Sequence, residues 1–151
     1  MPNPVSVAKA KVVSLRHRLL WHRKRGHHAR RLYKSYNRAK AALVLARKRY
    51  EQRAVRVAIK DARSHLGEVE RPSNHISFAT EFGIDGQPWC GAFVGHALRR
   101  AGVTVPPGVV YTPNILHFGW GRPSTPRPGD LVLFKWPGIS RDPVDHVGLY
   151  V

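Results

Sequence analysis

Acidic residues are scarce: the 151-residue chain carries 9 Asp and Glu against 26 Lys and Arg, a formal charge of +17. Cysteine occurs once, at position 90. A single cysteine excludes an internal disulfide, so the fold is expected to form without an oxidising compartment. It also leaves Cys90 as either a nucleophile paired with a histidine elsewhere or an inert buried thiol. Long apolar runs are missing as well. Lys9, Lys11, Arg16 and Arg18 interrupt the first 21 positions, leaving no signal-peptide core and no bilayer span. Synthesis in the cytoplasm without export by a signal peptide is the expectation.

The positive excess is confined to one part of the chain. Residues 1–60 hold 18 Lys and Arg against Glu51 alone, whereas residues 61–151 hold 8 basic and 8 acidic residues. A segment of the first kind is drawn to nucleic acid, anionic lipid or a phosphate-bearing cell-wall polymer, and charge does not choose among them. The length suits one domain of about 100 residues with an appendage.

Apolar residues Ala8, Val12, Leu15 and Leu19 recur at helical spacing between Val5 and Arg25, and Gly26 marks a break. A second stripe runs through Leu32, Tyr36, Ala39, Leu43, Ala46 and Tyr50. Two basic helices packed as a hairpin account for both stripes, and so does a long solvated helix docked on the neighbouring domain. Little independent core is expected before residue 50. Ala54, Val55, Ala58, Ile59, Ala62 and Leu66 predict a helix from about Arg53 to a stop at Gly67, so the domain boundary falls near 52/53, inside a continuous helix if the two join.

Beyond Gly67, short helices precede strands, an α+β order of elements. Residues 89–100 predict a helix opening at Pro88 or Trp89 and ending at Gly102, which puts Cys90 in its first turn. There the unpaired N–H groups and the positive end of the helix dipole favour the nucleophilic thiolate. Pro128-Gly-Asp130 launches a strand over 131–136, and a second strand is expected over 145–151. A period of two places His146, Gly148 and Tyr150 on one face of that strand, with Asp145, Val147 and Leu149 on the other. The expectation is that the Cys90 helix packs on the His146 face, with Gly148 permitting close approach.

Four segments then carry a resemblance: Glu70-Arg-Pro-Ser-Asn74, Phe82-Gly-Ile-Asp-Gly-Gln-Pro-Trp-Cys-Gly-Ala-Phe-Val94, Arg127-Pro-Gly-Asp-Leu131 and His146-Val-Gly148. In this order they resemble the successive motifs of CHAP domains, relatives of the NlpC/P60 and papain-like hydrolases. The resemblance implies a papain-like α+β domain over 53–151 behind a basic helical segment, 1–52. It further implies Cys90 as nucleophile and His146 as base; no cofactor is expected, and the residues of this chain, read in sequence, give no metal site. The activity implied is that of an amidase or endopeptidase on the peptide part of peptidoglycan, as in phage endolysins, acting at the bacterial wall. The family's third polar residue, which orients the imidazole, lies on a strand after the His strand, and the chain stops at Val151. The expectation is therefore a domain lacking its orienting residue and closing strands, for which Asp145 on the opposite strand face is no substitute. The alternative is a catalytically impaired wall-binding or structural phage protein, or one half of a split lysin completed by a second polypeptide.

Secondary candidates are fewer. Gln87 and the Cys90 N–H are candidate oxyanion donors, although Gln87 reads more readily as a structural turn residue, and Trp89, Trp120, Trp136 and Tyr111 are candidates to meet glycan or stem peptide, or simply to pack in the core. Glu81 and Asp85 are too few for a calcium cage. His22, His27 and His28 lack metal spacing, and His75, His96 and His117 are assigned no role.

Overall fold

A computed structural model describes residues 3–25, 29–73, 75–118 and 125–151. The chain divides into two compact units, Met1–Gln52 and Arg53–Val151. In the first unit, α1 spans Pro4–Lys24. The Asn3 side chain accepts the Val5 N–H at 2.9 Å, and Pro4 opens the helix, where its missing N–H costs nothing. His22, Arg23 and Lys24 occupy the last turn, at the negative end of the dipole.

Helix α2 runs from Arg30 to Ser64. Its 35 residues contain neither Gly nor Pro, so no local signal interrupts the helix. No new helix starts near Arg53; the boundary between the units falls inside α2, and the expected break at Gly26 lies outside the described residues. Leu19 and Leu20 of α1 and Tyr33 and Tyr36 of α2 line one cleft, so the two helices face each other in this unit. Among its described residues only Leu15 and Ala39 are buried apolar side chains. No helix among the described residues is long and apolar enough to cross a membrane.

The second unit mixes helices with a small sheet. The end of α2 buries Ala54 and Ala58, and the chain leaves it through Gly67 at φ +86°, a left-handed geometry that favours glycine. Helices α3 (Ser77–Glu81) and α4 (Cys90–Arg100), a 3-10 turn (Thr112–His117), and strands β1 (Leu131–Phe134) and β2 (His146–Leu149) follow. The strands pair antiparallel with Leu131 opposite Leu149, Val132 opposite Gly148, Leu133 opposite Val147 and Phe134 opposite His146. They are shorter than the runs read from sequence, but backbone bonds from Asp145 to Phe134 and between Tyr150 and Asp130, each 2.8 Å, prolong the ladder at both ends.

Val94 and Leu98 of α4, Val109, Ile115 and Val147 of β2 form the main core. Ile76, Phe78 and Ala79 form a second cluster, joined to the first through Phe93. Two glycines let α4 sink between its neighbours. A Cβ on Gly91 would lie 2.8 Å from the Val110 carbonyl oxygen and closer still to that of Val109, and one on Gly95 would lie 2.7 Å from Phe82. Backbone cannot swing aside as a side chain can, so Gly91→Ala is expected to cost about 1–3 kcal/mol through forced displacement. Thermal unfolding followed by circular dichroism should show a Tm lowered by several degrees; an unchanged Tm would mean that the 109–110 segment yields freely.

Candidate functional site

Cys90 is the first residue of α4, behind Trp89 at the cap. Because Gly91 admits the Val109 and Val110 carbonyls against the first turn of α4, the chain that follows is carried past the sulfur. The buried hydroxyl of Thr112 thereby meets Cys90 Sγ at 3.3 Å. Sequence reading missed Thr112, because nothing in local spacing links positions 90 and 112. The thiol lines a cavity of about 300 Å³ whose wall includes Gln87, Pro88, Tyr111, Asp142 and Asp145.

Two carboxylates of that wall are held in different ways. The Tyr111 hydroxyl donates to Asp142 at 2.8 Å, and that bond is the main cause raising the phenol above its usual pKa. Asp145 accepts from the Ser140 hydroxyl, from the Trp136 N–H at 2.9 Å and from Lys135 Nζ at 3.1 Å. The Ser140 bond leads the causes that hold Asp145 below the ordinary aspartate range, followed by the Trp136 amide. Its side chain, 4% exposed, thus ties the β1–β2 connection together.

His146 lies elsewhere. Val147 enters the core with Val94 and Leu98, flanked by Leu131 and Leu133, so the face of β2 turned to α4 is the Val147 face. This corrects the expectation that α4 packs on the His146 face. A strand with one buried side turns its branched aliphatic residues inward, and here these are Val147 and, opposite it, Leu133. Nor is a helix packed at Gly148: among the described residues a Cβ there would meet Phe134 alone, at 3.7 Å. The His146 ring rests against Trp136 and Phe134, at centroid distances of 5.3 and 5.9 Å. Among the described residues no hydrogen bond joins Cys90 to His146; that of Sγ goes to Thr112.

The remaining candidates also separate. Gln87 lines the cavity with Cys90. Trp89 does not; its indole N–H donates to Glu70 and its ring packs edge-on against Phe78 at 5.2 Å, so it anchors the second cluster. Trp136 stacks on Phe134 at 6.0 Å with planes 7° apart and remains 45% exposed. Trp120, His27 and His28 lie outside the described residues. His75 pairs on the surface with Asp85 at 2.6 Å, and His117 is exposed.

Four carboxylates share one titration behaviour. Hydrogen bonds from His65 to Glu68, from His96 to Glu81, from His75 to Asp85 and from Ser140 to Asp145 are the leading causes that lower each acid's pKa. A carboxyl lowered in the folded state contributes stability above its unfolded pKa, about 4, and loses it as pH falls through the folded value. These groups should therefore leave Tm flat between pH 7 and about pH 5 and lower it progressively below about pH 4. Scans across that range check the direction; a Tm that rose on acidification would contradict it. Compared with protein-family models, curated proteins and solved structures, the chain matches none.

Proposed function

We propose that Arg53–Val151 is a papain-like cysteine hydrolase of the CHAP type that cleaves amide bonds in the peptide part of peptidoglycan, in the manner of an endolysin. The observation that carries this reading is the Cys90 thiol at the first turn of α4, beside a buried hydroxyl and open to a cavity of about 300 Å³. The positive end of the helix dipole and the Thr112 hydroxyl suit a sulfur anion. In the proposed reaction Sγ attacks the amide carbonyl carbon, and the Cys90 N–H with the Gln87 side chain offers hydrogen bonds to the oxyanion. Collapse expels the amine, which takes its proton from the His146 imidazolium. Water then cleaves the thioester, restoring the thiol and releasing a carboxylate.

This chemistry requires His146 to reach Sγ. Sγ is bonded to Thr112 instead, so the proposed mechanism includes the approach of the two side chains. A second reading rests on a different feature. Exposed Phe134 and Trp136, with the half-buried His146 ring beside them, form an aromatic platform of the kind on which sugar rings stack, and a wall-binding protein would use it without chemistry.

Incubating the full chain with purified peptidoglycan and weighing the soluble fragments separates the two. Fragments bearing new amino and carboxyl ends support hydrolysis. Retention on the wall without release, weakened at least tenfold by Trp136→Ala, supports binding alone.

A further inference from the structure

We propose that Asp61, His65 and His96 form a binding site for a divalent transition metal of the zinc type. Asp61 lies in the last turn of α2, His65 follows the helix immediately, four residues on, and His96 faces them from α4. One ligand atom from each, a carboxylate oxygen and two imidazole nitrogens, lies within 4.8 Å of the others. His96 Nε2 is 3.4 Å and His65 Nε2 3.9 Å from Asp61 Oδ2. Bonds of about 2.0–2.1 Å in a tetrahedral shell put ligand atoms about 3.3 Å apart. The first pair already stands near that spacing, and the second needs to close by about half an ångström.

The hydrogen bonds around the cluster point to a cation. Nδ1 of His65 is bonded to Glu68 and Nδ1 of His96 to Glu81. A ring that gives its Nδ1 proton to a carboxylate turns the lone pair of Nε2 outward, which is the tautomer of a metal-ligating histidine with an acidic partner behind it. Both lone pairs then converge on Asp61 Oδ2, a buried oxygen with no hydrogen-bond partner among the described residues. Arg100 Nε binds the other oxygen, Oδ1, at 3.3 Å and leaves Oδ2 facing the rings. Three acceptors around one point repel unless something positive lies among them. In a chain with only 9 acidic residues, three of them, Asp61, Glu68 and Glu81, gather on these two histidines.

The donor set selects the ion. Two imidazoles and one carboxylate suit zinc and its neighbours, not calcium or magnesium, which take oxygen ligands. Side-chain exposures of 12% for Asp61, 22% for His65 and 21% for His96 leave room for water in the fourth position. Phe78 packs edge-on against His65 with ring centroids 5.6 Å apart and walls the site on one side. A bound ion would pin the end of α2 to α4, the helix that carries Cys90. The rival arrangement is metal-free, with both rings doubly protonated and paired to the carboxylates.

The test is titration of chelator-treated full-length protein with Zn²⁺ by calorimetry, and with Co²⁺ by visible absorption. One equivalent is expected to bind, the Co²⁺ complex should show the intense d–d bands of a four-coordinate site without sulfur charge transfer, and Zn²⁺ should raise Tm. His96→Gln and Asp61→Asn should each weaken Zn²⁺ binding at least tenfold, while His75→Gln should leave it unchanged. Absence of saturable binding, or binding equal in wild type and His96→Gln, would overturn the site, as would a thiolate band that disappears with Cys90→Ala. If a variant fails to fold, the Co²⁺ spectrum of the wild-type chain still decides, since only imidazole and oxygen ligation is allowed.

Discussion

Replacing Cys90 by alanine should abolish wall hydrolysis while leaving the fold in place. Cys90 is only half-buried at the edge of the main core, and alanine is as good a helix residue at the first turn. In the proposed reaction the sulfur supplies the covalent step, and the hydroxyls of Thr112 and Ser140 in the same cavity are far weaker nucleophiles. Removing a nucleophile from a unit of this kind lowers turnover by about 10⁴–10⁶. Cys90→Ser should be nearly as inactive, because a hydroxyl at neutral pH is a far weaker nucleophile than a thiolate. Fragment release from purified walls gives the readout, with circular dichroism to verify folding. Release by Cys90→Ala at the wild-type rate would remove Cys90 from the mechanism and leave the aromatic platform, with its binding role, as the better reading.

Ionic strength should have an effect of similar size on attachment. The 18 Lys and Arg of residues 1–60 face a single carboxylate, Glu51, and most side chains of α1 and α2 in the first unit are exposed. Binding to a polyanion through about six to ten phosphate interactions falls by about 10³–10⁵ between 50 and 200 mM salt. Affinity for teichoic-acid-bearing walls, anionic vesicles and duplex DNA, each measured over that range, should give steep log–log slopes. Neutralising Arg30, Arg31, Lys34 and Arg38 to glutamine should flatten the slope by roughly one unit for each phosphate interaction removed. The partner is the polyanion bound most tightly at physiological salt. Affinity independent of salt would show that the charge of this segment is merely a solvated surface.

The candidate site is only partly legible from the chain. Cys90 at a helix start can be read because Pro88, the apolar spacing of 93, 94, 97 and 98, and Gly102 are local signals, and α4 does begin at Cys90. The placement of His146 cannot be, because period two divides β2 into two faces without saying which is buried. The buried face went to Val147, whose partners Val94, Leu98, Val109 and Ile115 come from three other parts of the chain. The metal cluster is hidden for a related reason. The Asp61 and His65 spacing is visible at the end of one helix, but distance along α4 relates His96 only to Cys90, whereas its ligand geometry depends on α2.

By itself the sequence determined what depends on near neighbours along the chain. These are the two basic helices, the turn at Gly67, the thiol in the first turn of α4, the hairpin order of β1 and β2, and the confinement of positive charge to the first 60 residues. Each rests on periodicity, capping or turn chemistry acting over a few residues. Only the tertiary structure decided which strand face meets α4, that Thr112 stands beside Cys90, that Trp89 serves packing, and that one carboxylate and two imidazoles converge at the end of α2. Those outcomes depend on competition between whole faces for burial and on glycines that let a helix approach a distant backbone, and neither is expressed in the spacing of residues along the chain.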